Sequence, residues 1–192
     1  MEDLMYWTVA KGDIDNPLMC EYAIDLAINM AESGAHARLS VDSQFEEIIL
    51  SALKSNECPA DSFTCYLPSI RNKGLVIDNK RYISAYKSYK DQNDKGFVFS
   101  LGLSGVDLQE RSSLVSVSKL LGDKLNAPSS FLLLAEPFYE CDERGQLVSV
   151  DGESQEEFRM AQQMGMRCYN LHIEQHRNEL QFLIKNMEWK CV

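Results

Sequence analysis

Leu75-Val76-Ile77-Asp78-Asn79-Lys80-Arg81-Tyr82-Ile83 is where the sequence first commits itself to an architecture. Two short runs rich in β-branched and aromatic side chains flank Asp78-Asn79-Lys80, a turn composition that suits a hairpin of antiparallel strands. Working outward, Ser62–Leu67 reads as a strand ended by Pro68, and Phe97–Leu103 as another, preceded by the turn-rich Asp91–Gly96. Phe131–Ala135 reads as a buried strand, and the turn Glu143-Arg144-Gly145 leads into a further strand at Gln146–Val150. A short strand over Met5–Ala10 completes the set.

Helical signals stand on either side of these strands. Asn16 before Pro17 is an N-cap followed by proline at the first helical position, and the apolar run that follows stops at Gly34. Ser43 with Glu46 makes a capping box for a second helix to about Ser55, and Asp107 caps a third to about Leu125. Ser154 with Glu157 makes a second capping box and opens a long C-terminal stretch. In it Phe158, Ala161, Met164, Cys168, Leu171, Leu180, Leu183, Ile184 and Met187 keep helical phase, with a break near Gly165. The pattern predicts the α+β class: a central, mostly antiparallel sheet packed with helices from both chain ends, in one globular domain over residues 1–192.

Composition excludes several classes. With 45% hydrophobic and 25% charged residues over 192 positions, the chain has the make-up of an ordinary globular protein, not of a disordered or fibrous one. Its charge-free stretches, Gly96–Val106 and Leu125–Ala135, fall short of the roughly 20 apolar residues a membrane helix needs, so no membrane partner is expected. Glu2 and Asp3 stand where a secretory signal carries positive charge, which points to the cytoplasm. The six cysteines are scattered, as reduced thiols would be. Nothing in the sequence calls for a cofactor.

Charge is unevenly distributed. The chain carries 19 basic and 29 acidic side chains, a net charge of −10, yet residues 66–130 hold 10 basic against 6 acidic. Within that middle, Lys80, Arg81, Lys87 and Lys90 alternate with Tyr82, Tyr86 and Tyr89, a pairing of cations for phosphate with aromatic faces for bases that suits single-stranded nucleic acid. In a helix the same tyrosines form one apolar stripe beside a solvated basic face, and a chain of net −10 is repelled by phosphate elsewhere. On charge alone the favoured reading is a non-catalytic, acidic interaction or inhibitor protein. Such a protein docks on another protein with a basic surface, for example to neutralise an enzyme or a defence factor, and nucleic acid is set aside.

One alternative is chemical. Cys168, His172 and His176 recur at every fourth position and share one face if the helix is unbroken, the start of a zinc site or of a thiol hydrolase. Zinc needs a further ligand that no motif supplies, and one helical turn is poor geometry for a base to approach a sulfur nucleophile. A second alternative is single-stranded nucleic-acid binding through Tyr82–Lys90. Gly102-Leu-Ser-Gly105 lacks the lysine of a phosphate-binding loop.

Overall fold

The computed structural model describes residues 6–10, 12, 15–40, 43–56, 58, 62–68, 98–101 and 130–188. Among them the chain runs β1 (Tyr6–Val9), α1 (Pro17–Glu32), β2 (His36–Ser40), α2 (Gln44–Ser55), β3 (Phe63–Pro68), β4 (Val98–Leu101), β5 (Phe131–Leu134), β6 (Tyr139–Cys141), β7 (Leu147–Val150), α3 (Gln155–Gln163), β8 (Arg167–Asn170) and α4 (Glu174–Glu188). Six strands form one sheet in the order β4-β3-β2-β1-β5-β8, and every pairing within it is parallel. The antiparallel pair among the described residues is the separate β6–β7 hairpin.

The mostly antiparallel sheet expected from the sequence is therefore not what forms, and the helices alternate with strands instead of gathering at the chain ends. The decisive element is β2, His36-Ala-Arg-Leu-Ser40, which the hydrophobic pattern hides because Arg38 sits inside it. Ala37 and Leu39 are fully buried, and Arg38 is only 9% exposed. With β2 in place, β1-α1-β2-α2-β3 is a strand–helix alternation. A helical crossover of that kind returns the chain to lie parallel to its predecessor. The hairpin expected at residues 75–83 and the helix expected after Asp107 lie outside the described residues.

Local chemistry explains the helices. Asn16 accepts a hydrogen bond from Leu18 N at 3.1 Å with Pro17 at the first helical position, and α1 ends before Gly34 at φ +81°. Ser43 Oγ accepts from Glu46 N at 3.2 Å and lies 3.3 Å from Glu46 Oε2, so the expected capping box opens α2. The long C-terminal helix divides in three. α3 ends at Gln163, Gly165 takes φ +66°, and β8 intervenes before α4. Cys168 kept helical phase in the sequence only because a strand of four residues is too short to show its own period.

Both sheet faces are covered, as a parallel sheet requires. On one face α1, α2 and α4 bury Met30, Phe45, Ile49, Leu53 and Leu180 against Trp7, Phe131 and Tyr169. On the other, α3 and the hairpin bury Phe158, Ala161, Leu147 and Val150 against Leu132 and Leu134. The run Phe131-Leu-Leu-Leu134 is buried at every position because alternate side chains enter the two cores. Trp7 stacks on Phe131 at 6.3 Å, Phe131 meets Tyr169 edge-on at 5.3 Å, and Tyr169 meets His176 edge-on at 5.6 Å, so one aromatic row crosses three strands and reaches α4. No helix among the described residues is long and apolar enough to cross a membrane.

Candidate functional site

The sheet changes its direction of growth between β1 and β5. From β1 the chain passes through α1 on one face. From β5 it passes through the hairpin and α3 on the other. Doubly wound sheets hold their ligands outside the carboxyl edge at such a point, so that edge between β1 and β5 is the candidate crevice. Here the floor is made of small residues: Ala10 and Ala135 are fully buried, and Ala10 N extends the ladder by donating to Leu133 O at 3.0 Å. Gly12 closes over them. A Cβ at Gly12 would stand 3.0 Å from Phe45 Cδ1 and 3.2 Å from Ala135 Cβ, so a side chain there would push the turn outward. The N-terminus of α1 follows directly and has no acidic residue in its first turn to offset the positive end of its dipole.

Asn170 and Glu136 build the opposite wall. Asn170, at the end of β8, is fully buried. Its Oδ1 accepts from Glu136 N at 3.1 Å and from His172 N at 3.3 Å, and its Nδ2 donates to Glu136 O at 2.8 Å. One side-chain amide thus satisfies both main-chain groups of the residue that leaves β5. The Glu136 carboxylate then turns back to α3, where Oε1 accepts from Ser154 N at 2.7 Å. The expected capping box of Ser154 with Glu157 does not form: Ser154 makes no side-chain cap bond, and Glu136 supplies the acceptor from 18 residues upstream. Gly152 leaves room for this, since a Cβ there would collide with Glu136 Oε2.

His176 ties the wall to the hairpin. Its Nδ1 accepts from Asn170 N at 2.9 Å, which requires that nitrogen to be unprotonated. Its Nε2, 3.1 Å from Gly145 O, therefore carries the proton and donates it. The turn Asp142–Gln146 that presents Gly145 is held by Asp142 Oδ1, which accepts from Arg144 N and Gln146 N, and Gly145 itself takes φ +75°. Burial pushes the His176 pKa below its ordinary 6.5, against smaller opposing effects of the Gly145 carbonyl and Glu179. Folding thus favours the neutral ring, whose stabilisation is complete above about pH 6.5 and is lost as the pH falls from there through the lowered folded value. Urea unfolding of the wild type should show a midpoint lower at pH 5.5 than at pH 7.5. His176→Ala should lose roughly 1–3 kcal/mol at pH 7.5 and show a flatter pH dependence over the same range.

The triplet Cys168, His172 and His176 is not arranged as the sequence suggested. Cys168 lies in β8, His172 on the turn after it, and only His176 lies in α4. Both ring nitrogens of His176 are engaged by main-chain groups, and no group of three or more His, Cys, Asp or Glu among the described residues is placed to hold a metal ion. Burial pushes the Cys168 thiol up to about 12, so it is protonated at neutral pH and a poor nucleophile. Cys20, Cys58, Cys141 and Cys168 are free thiols. Lys80, Arg81, Tyr82, Tyr86, Lys87, Tyr89 and Lys90 lie outside the described residues.

Gly12, Glu136 and Asn170 do not stand out when the sequence is read by itself. A glycine between a strand and the Asn16-Pro17 cap is the one local signal that marks the crevice, whereas the Glu136–Asn170 clamp joins residues 34 apart and has no local signature.

Fold and crevice define a doubly wound, Rossmann-like α/β protein. Neither a protein-family model nor a curated protein sequence matches the chain. Among solved structures it is similar to DNA processing protein A from Helicobacter pylori, described for its single-stranded DNA binding mode, with a TM-score of 0.57 and 11% identity over 97% of this chain and 74% of that one. It is also similar to DNA processing protein A from Streptococcus pneumoniae, with a TM-score of 0.50 and 12% identity over 87% of this chain and 50% of that one. At these identities the likeness is one of fold. Against the partner expected from charge, these two structures are of DNA processing proteins, and neither supports an acidic inhibitor docking on a basic protein. The charge reasoning failed because it weighed the whole chain, while a ligand senses the charge within about 8 Å at physiological salt.

Proposed function

We propose that this protein binds single-stranded nucleic acid. The observation that carries the reading is the fold-wide likeness to DNA processing protein A of Helicobacter pylori, a protein with a single-stranded DNA binding mode, over 97% of this chain. The chemistry of residues 80–90 supports it: Lys80, Arg81, Lys87 and Lys90 supply cations for phosphates, and Tyr82, Tyr86 and Tyr89 supply faces on which bases stack. In the sequence this segment falls between β3 and β4. Fluorescence anisotropy with a labelled single-stranded oligonucleotide and with a duplex of the same length tests the reading. We expect the single strand to bind more tightly, since stacking on tyrosines requires unpaired bases. Equal affinity for both would leave only nonspecific charge attraction.

A further inference from the structure

Two adjoining cavities lie along the outer edge of the sheet, beside β8, away from the crevice. The larger, of about 720 Å³, is walled by Arg167 and Tyr169 of β8 and by a stripe of α4 that includes Gln175, Asn178, Glu179 and Phe182. The smaller, of about 550 Å³, shares Arg167, Tyr169, Gln175 and Glu179 and adds Arg144 from the hairpin turn. Both volumes are in the range of small-molecule sites. Phe182 is 67% exposed and offers its ring to the larger cavity. Gln175 Nε2 holds Glu179 Oε1 at 3.1 Å, and Arg167 Nη1 lies 3.5 Å from Tyr169 Oη, so a carboxylate and a guanidinium are steadied on opposite walls.

This set of side chains narrows the ligand. The lining carries both signs, Glu174 and Glu179 with Arg144 and Arg167, so it suits a ligand with both a hydrogen-bond-donating edge and anionic groups better than a simple ion of either sign. An apolar peptide segment would strand the amides of Gln175 and Asn178. A nucleotide offers a flat π-face for Phe182, a polar edge for Asn178 and Glu179, and phosphates for the two arginines. Carboxylate and amide oxygens accept from the exocyclic amino groups of cytosine, adenine and guanine, which thymine lacks. We propose that the cavity beside β8 seats one unpaired, amino-bearing nucleobase, stacked on Phe182, with its flanking phosphates at Arg167 and Arg144. This deepens the nucleic-acid reading and rests on it.

The test uses the full chain with four probes: dCMP, dTMP, and twelve-nucleotide strands of all-cytidine and all-thymidine sequence. Calorimetry should show dCMP binding in preference to dTMP. Phe182→Ala, an exposed change that leaves the core untouched, should weaken dCMP and the cytidine strand about 10-fold, with little effect on the thymidine strand. Should both strands bind the wild type while Phe182→Ala and Asn178→Ala leave the cytidine strand's affinity unchanged, the pocket assignment is overturned and the nucleic-acid reading stands. Binding of dCMP, lost in Phe182→Ala, without binding of either strand would uphold the pocket and overturn the wider reading. Failure of all four probes to bind would overturn both.

Discussion

Asn170→Ala should cost about 3 kcal/mol of folding stability, the largest loss we expect from a single polar side chain in this protein. The side chain is fully buried and makes three hydrogen bonds, two of them to the N–H and C=O of Glu136. Truncation removes those bonds and leaves both main-chain groups of Glu136 without their side-chain partner in a place water does not reach. The loss then spreads, because Glu136 carries the carboxylate that caps α3 at Ser154 N. Urea denaturation followed by circular dichroism measures it. Glu136→Ala should cost less, since it leaves the Asn170 clamp intact, and the double variant should lose less than the sum of the two, because the residues belong to one network. Full additivity would show that clamp and cap act independently.

Much of this fold was legible locally. The Asn16-Pro17 start of α1, the Ser43–Glu46 start of α2, the buried strand read at Phe131–Ala135 and the Glu143-Arg144-Gly145 turn each depend on a few adjacent residues, and each forms within a residue of where the sequence places it. What failed was global. Strand direction depends on what lies between strands, and one unrecognised strand, β2, hid the strand–helix alternation that distinguishes a parallel sheet from an antiparallel one. The residues around the crevice were hidden for a related reason. Cys168, His172 and His176 attracted notice because they are near in sequence, whereas the residues that shape the crevice come from two separate connections, Gly12 and Glu136, and from the end of β8, Asn170. Net charge misled in its own way, since −10 describes 192 residues and a binding surface involves only a small fraction of them.

The second large effect concerns binding. Replacing Lys87 and Lys90 together by Glu should weaken single-strand affinity about 50-fold or more at roughly 50 mM salt. Each phosphate contact on a single strand contributes about 0.7 to the slope of log K against log salt, so removing two lowers the slope by about 1.4. Reversal adds repulsion to the loss. The weakening should shrink as salt rises, because screening removes the same interactions from the wild type. Tyr86→Ala should lower affinity with little change in slope, which separates stacking from charge. If the double reversal leaves affinity intact, residues 80–90 are not the interface, whatever else binds.

The most direct measurement is the affinity of the unmodified protein for a labelled single-stranded oligonucleotide across a salt series. We expect binding that weakens linearly in log salt with a slope corresponding to several phosphate contacts, the signature of a backbone held by lysine and arginine. Absence of binding at the lowest salt, where phosphate attraction is strongest, would contradict a nucleic-acid function for this fold.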